Sequence, residues 1–204
     1  MFGIADYGAF VAAFVLLLFL PGPGNLALIT STGQGGLAGG TASVLGLLVG
    51  DQILMWLTVA GVAAVLAANP FLFAALQWVG AAYLAWLGFK MLTAKPGDKP
   101  MINIRPGHYF RQTMVITLFN PKAIMFYVAF FPQFIDPALH QGFVTFGVMA
   151  ATIAVLGFVY CMGVVILTHT MAEKLRANPA VTGVLQKIAG IFLIGFGIKL
   201  ALSK

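Results

Sequence analysis

Two ionisable side chains stand in otherwise apolar sequence, and both types can do chemistry there. Asp51 sits in Leu47-Leu48-Val49-Gly50-Asp51-Gln52-Ile53-Leu54-Met55-Trp56, and Lys122 follows Asn120-Pro121 within a second apolar stretch. A carboxyl group in such surroundings can bind and release a proton when neutral, or hold an ammonium group when ionised. A third feature is Phe19-Leu20-Pro21-Gly22-Pro23-Gly24-Asn25-Leu26, whose two prolines and two glycines cannot sit in an unbroken helix. If the chain restarts as a helix with Asn25 near its cap, free N–H groups and the positive end of the helix dipole point at the surroundings. Such an end favours a carboxylate. Asn120-Pro121-Lys122 forms a second interruption of the same kind.

The elements that must position these residues follow from composition. Of 204 residues, 61% are hydrophobic and 8% charged, against roughly 45–50% apolar and about 25% charged in soluble domains. With 11 Lys and Arg and 5 Asp and Glu, the chain cannot coat a water-soluble globule; its mean hydropathy of +1.00 makes lipid the solvent. A crossing needs about 20 apolar residues, so roughly six or seven are the most the chain holds. Hydropathy marks six runs, about residues 8–30, 41–67, 71–93, 112–135, 143–170 and 183–202. Between them lie Gly33-Gln34-Gly35-Gly36 with Gly39-Gly40, then Asn69-Pro70, then a polar stretch from Lys95 to His108. Asp136-Pro137 and the segment Ala172 to Gly183 complete the set of breakers.

Lipid sharpens what the three features imply. Backbone groups freed by a break must be satisfied by protein, water or substrate, so Pro21 to Asn25 should face a cavity; a plain kink near the membrane surface is the alternative. Asp51 is the sole acid within the six runs. At a helix centre it costs roughly 2.5–3.5 kcal/mol and should turn inward to a partner. Lys122, the only cation of the fourth run, is the candidate, in a functional or a purely structural pair. The aromatics Trp56, Trp78, Trp86, Tyr83 and Tyr127 read as packing or interfacial belt. His140 and His169 lie near run ends and carry no chemistry.

The sequence also repeats. Leu76 to Lys90 lies over Leu185 to Lys199 with Leu, Gln, Gly and Lys in register, and Asn69-Pro70 precedes the first copy as Asn178-Pro179 precedes the second. Pro21 pairs with Pro121 at a slightly shorter offset. Chance likeness of Leu- and Gly-rich helices is the alternative reading. Three helices per half is an odd number, so two homologous halves would enter the membrane from opposite sides, an arrangement of secondary transporters. The expected fold is an all-α integral membrane protein of six transmembrane helices in two inverted three-helix repeats, with helices one and four broken. Residues 1–93 form the first repeat, 94–111 a basic connection and 112–204 the second, within a single membrane domain.

Charge sets the orientation and excludes other partners. The net charge is +6, yet no basic stripe alternates with exposed aromatics, so nucleic acid is not expected. Lys90, Lys95, Lys99, Arg105 and Arg111 flank the third connection, and Lys174 and Arg176 the fifth. The positive-inside rule puts these connections in the cytoplasm and both termini outside, with Lys199 and Lys204 pulling weakly the other way. Cys161 is the single cysteine, which excludes an internal disulfide, a thiol relay and a Cys-based zinc site. The first apolar run ends in Pro21-Gly22-Pro23-Gly24 without a preceding basic region, and reads as a retained helix.

Pro21-Gly22-Pro23-Gly24-Asn25, Gly46 to Asp51, Gly80 to Gly88, and Asn120-Pro121-Lys122-Ala123 through Phe131-Pro132-Gln133-Phe134 together resemble the LysE/RhtB family of bacterial amino-acid exporters over nearly the whole chain. The Asn-Pro-Lys and Pro-Gln-Phe pair is specific to that family. The resemblance implies a secondary transporter of the bacterial plasma (inner) membrane that expels amino acids, coupled to the proton-motive force. Gly24 intervenes where the family commonly has a polar residue directly after Pro-Gly-Pro, and the first connection lacks basic residues found in many relatives.

The expected substrate-binding residues are Pro21, Gly22, Pro23, Gly24, Asn25, Asn120, Pro121 and Lys122, with Asp51 for proton coupling or ammonium binding. Asp51 alone suits one α-ammonium or one proton, favouring small or medium neutral amino acids over lysine or arginine. The partners are then the amino acid, protons and the lipid bilayer, with a homodimer left open and no metal or cofactor. An intramembrane enzyme would need a nucleophile and base or a metal cluster that the runs do not hold. The remaining rivals are an exporter of basic amino acids or of another small metabolite, and a passive channel, since broken helices also line pores.

Overall fold

The computed structural model describes residues 3–4, 6–19, 22–62, 104–127, 131–135 and 142–177, with scattered positions between 69 and 102 and between 187 and 198. Within these the chain is helical: α1 (Tyr7–Phe19), α2 (Pro23–Leu57), α3 (Tyr109–Leu118), α4 (Pro121–Met125) and α5 (Phe143–Ala177). A π-helical turn, Thr58–Val62, extends α2, and a 3-10 turn spans Phe131–Phe134. Among the described residues the only β pairing is an isolated bridge between Ile4 and Ile135.

α2 is a hairpin of two arms. At Gly36 the backbone takes φ 60 and ψ −152, a region essentially reserved for glycine. Ser43 Oγ donates to Ser31 Oγ at 2.7 Å although the two are 12 residues apart, a separation of roughly 18 Å on a straight helix. Residues 23–35 and 37–57 therefore run antiparallel. The glycine-rich stretch expected to separate the first two runs does so at one residue, while Gly33, Gly35, Gly39 and Gly40 remain helical. At Gly39 and Gly40 the close approach of the two arms requires the missing side chain, and at Gly35 the Tyr109 ring does. A Cβ at Gly39 would lie 2.6 Å from the Ser31 carbonyl, and one at Gly40 2.5 Å from Thr32 Oγ1.

The second arm presents a further small-residue face to α3. A Cβ at Gly46 would collide with the Phe110 carbonyl, and one at Gly50 would sit 2.8 Å from Thr117 Cβ. Lipid tails are as apolar as leucine, so helices here associate through close backbone approach and buried hydrogen bonds. Ser43 supplies the hydrogen bond, with its Oγ 2.7 Å from Thr113 Oγ1 as well as from Ser31. α5 packs on the other side of α2, where Leu28, Val44, Leu47, Cys161 and Val165 form one core cluster. A second cluster ties α1 to the segment after α4: Phe10 meets Phe131 edge-on at 6.3 Å, and Phe14 meets Phe126 at 5.7 Å.

The molecule has two well-defined ends. The Gly36 turn, the Tyr109 ring at the start of α3 and His169 near the end of α5 gather at one. Ile4 with Ile135, and Trp56 with Phe143, mark the other. Between them the second arm of α2, residues 37–57, spans about 31 Å, enough for the roughly 30 Å hydrocarbon core. α5 is longer than that layer. It continues to Ala177, past the expected end near 170 and into the polar connection. Hydropathy falls there, but Ala-Glu-Lys-Leu-Arg has high helix propensity, so the helix leaves the apolar layer without ending. α3 likewise begins at Tyr109 rather than near 112. The third and sixth runs, with the segments 76–90 and 185–199 that carry the repeat, fall largely outside the described residues.

Overfilling the α2–α3 contact should be costly. Gly46→Val should lower the stability of detergent-solubilised protein by about 1–3 kcal/mol, read as a fall in thermal midpoint. Gly163→Ala, where a Cβ meets nothing within 4 Å, should leave that midpoint essentially unchanged.

Candidate functional site

Both expected interruptions are present, and their local chemistry matches. Gly22 is extended (φ −165, ψ −179) and caps α2 without a side-chain hydrogen bond, while Pro23 opens the helix. Asn120 (φ −76, ψ 110) caps α4, its side-chain oxygen accepting from the Lys122 N–H at 3.1 Å, and Pro121 opens that helix. Proline suits the first helical position because its missing N–H would have no helical partner there. Pro23 and Pro121 therefore hold the same place in their helices. Pro21 itself lies outside the described residues. The cap of α2 is Gly22, two residues before Gly24 and three before Asn25.

The two interruptions pack against each other. Lys122 Nζ donates to the Leu17 carbonyl at 2.9 Å, one of the last carbonyls of α1 and so without a partner in its own helix. On the way its side chain crosses Gly22, where a Cβ would sit 3.4 Å from Lys122 Cε. Asn25 Nδ2 donates to the neighbouring Leu18 carbonyl and to the Tyr160 hydroxyl, both at 3.2 Å. Asn120 Nδ2 comes within 4.0 Å of a Cβ at Gly24. An ammonium and an amide thus meet the negative end of α1, while the N-termini of α2 and α4 lie alongside.

Asp51 is buried on the second arm of α2 at 6% exposure, and Lys122 is buried at 7%. Cys161 on α5 is fully buried. Tyr160, at the midpoint of α5, closes one side through Asn25, with its ring edge-on to Phe19 at 5.1 Å. Sequence reasoning did not single out Tyr160 or Thr117, and it read Tyr127 as packing or belt; the one available signal is a hydroxyl inside an apolar run. His169 sits at the Gly36 turn, and His140 and Tyr83 are outside the described residues. Trp78 and Trp86 are exposed, with Lys90 Nζ 4.4 Å from the centre of the Trp86 ring. Among the described residues no group of three or more His, Cys, Asp or Glu side chains is arranged to hold a metal ion.

The sequence model of the LysE type translocator family matches residues 15–204. The chain belongs to that family. It is 32% identical over 205 residues to a leucine efflux protein of Salmonella typhimurium, covering 98% of this chain and 96% of the relative. A leucine efflux protein of Klebsiella pneumoniae is 30% identical over 204 residues, with the same coverage. An uncharacterised membrane protein of Pseudomonas aeruginosa is 32% identical over 209 residues, again across 98% and 96% of the two chains. No solved structure matches the chain. The matched region of this LysE type translocator takes in both interruptions, Asp51 and the whole of α5.

The contacts at the paired interruptions should be measurable as stability. Asn120→Ala removes the α4 cap and should cost about 0.5–2 kcal/mol. Lys122→Met leaves the Leu17 carbonyl without this donor and should cost about 1–3 kcal/mol. Thermal midpoints of the two variants in detergent, against wild type, check both.

Proposed function

We propose that this translocator is a secondary transporter exporting amino acids across the bacterial inner membrane, driven by the proton-motive force, with small or medium neutral amino acids as substrates. The observation that carries the reading is the meeting of the two helix interruptions with Lys122 between them and Asp51 buried on the adjacent arm. An amino acid carries one carboxylate and one ammonium. Lys122 and the N-termini of α2 and α4 suit the first, and Asp51 suits the second or a coupling proton. Gly22, Pro23, Gly24, Asn25, Asn120 and Pro121 form the proposed cradle, and Pro21 completes it by sequence.

Several features support the finer points. Relatives named for leucine efflux favour a neutral substrate, as does the single acid in the six apolar runs, which leaves none for a second positive charge. The proposed topology is six crossings in two inverted halves, 1–93 and 112–204, joined by a cytoplasmic connection at 94–111, with both termini outside. In that topology the first, third and fifth connections share a side. The gathering of the Gly36 turn, Tyr109 and His169 at one end agrees with it.

Export from cells loaded in turn with leucine, alanine, lysine and arginine tests the function directly. Saturable, uphill efflux of the neutral amino acids, collapsed by an uncoupler, is expected; unsaturable conductance would make the protein a channel. Moving one charge through 100 mV is worth roughly 2.3 kcal/mol, so an ionisable group that alternates sides can draw on the potential. Asp51→Asn should leave protein in the membrane yet abolish uphill export, and normal efflux in that variant would remove Asp51 from the mechanism. In the double variant Asp51→Asn with Lys122→Gln no unpaired buried charge remains. It should insert as Asp51→Asn does and still not transport, whereas near wild-type export would reduce Lys122 to a counter-ion.

A further inference from the structure

Two buried hydroxyls next to Asp51 have no use in the architecture. Thr117 Oγ1 and the Tyr127 hydroxyl make no hydrogen bond among the described residues, although the side chains are only 2% and 1% exposed. Buried polar groups are otherwise hydrogen-bonded, because an unmade bond costs the full desolvation of the group. Other threonines show how such a hydroxyl is satisfied within a helix. Thr32, Thr58, Thr93, Thr152 and Thr170 each donate back to the carbonyl four residues earlier, and Thr117 does not.

Position gives the two hydroxyls a common neighbour. Thr117 Cβ lies 2.8 Å from where a Cβ of Gly50 would stand, so the threonine rests against the backbone beside Asp51. Tyr127 belongs to the same buried cluster as Met55, one helical turn beyond Asp51 on α2. Thr117 ends α3 and Tyr127 follows α4, so the two straddle the Asn120-Pro121 interruption that also carries Lys122. Asp51 is itself buried, at 6% exposure. Three oxygen-bearing side chains, all buried, are thus gathered on or against the stretch of α2 from Gly50 to Met55.

We propose that Asp51, Thr117 and Tyr127 form the subsite for the substrate's primary ammonium group. An ammonium has three N–H donors and no acceptor; one carboxylate and two hydroxyl oxygens supply an acceptor for each donor. A hydroxyl that merely packed would have been better replaced by a methyl or a hydrogen, whereas one that waits for a ligand is unsatisfied only while the site is empty. The proposal rests on amino-acid export as the function and assigns the residues that select for the amine.

The test uses Tyr127→Phe and Thr117→Val, with Thr117→Ser as the variant that keeps the hydroxyl, in the full chain reconstituted into liposomes. Losing a hydrogen bond to a charged group should raise the KM for leucine by roughly 10- to 100-fold per variant, while Thr117→Ser stays near wild type. The thermal midpoint without substrate should be unchanged or higher, because no existing bond is lost. The 2-hydroxy acid analogue of leucine, which lacks the ammonium, should compete weakly against wild type and equally weakly against both variants. Unchanged leucine KM in Tyr127→Phe and Thr117→Val, or a lowered midpoint with unchanged KM, would overturn the subsite and assign the hydroxyls to structure. Wild type that moves no amino acid would instead overturn the function itself.

Discussion

The backbone interruption at the end of α1 is the constraint from which much of the remaining architecture follows. In lipid a helix cannot end without a partner for its last carbonyls. Here Leu17 receives the Lys122 ammonium and Leu18 the Asn25 amide. The first donor comes from the opposite interruption and the second is itself held by Tyr160 on α5. Satisfying one broken end therefore fixes the relative positions of α1, α2, α4 and α5. It also concentrates charge and amide groups where the chain has least regular structure.

Close packing makes that meeting geometrically feasible. Gly46 and Gly50 bring the second arm of α2 against α3 at backbone distance, and the Ser31–Ser43–Thr113 hydroxyl chain locks the two arms and α3 together. α3 then delivers Asn120 and Lys122 to the level of Asp51. A larger residue on this face would move the interruption of the fourth run away from that of the first. The glycines act at a distance on the site by setting how near its two halves stand.

Polar groups in the interior divide into two kinds. Ser31, Ser43, Thr113 and the back-bonding threonines are satisfied within the protein and hold helices. Asp51 and Lys122 are buried charges with opposite sign on different elements, and Thr117 and Tyr127 are buried hydroxyls whose bonding is incomplete. Within a membrane the second kind is costly, which is why it underlies the proposed site.

The sequence by itself determined the solvent, the location of the interruptions and the identity of the buried charges, because these depend on composition and on residues that break helices in any context. Proline at 23 and 121, glycine at 36 and a lone acid at 51 carry their meaning locally. The extent of the helices was less legible: α5 runs on to Ala177 because helix propensity outlasts hydropathy. That Pro23 and Pro121 hold the same helical position required the caps, which are backbone angles and not residue types. Only the tertiary structure decided that Lys122 reaches Leu17, that Tyr160 holds Asn25, and that Thr117 rests against Gly50 beside Asp51. Those contacts join residues more than a hundred positions apart or on separate helices, and no periodicity along one helix encodes what a neighbouring helix brings to it.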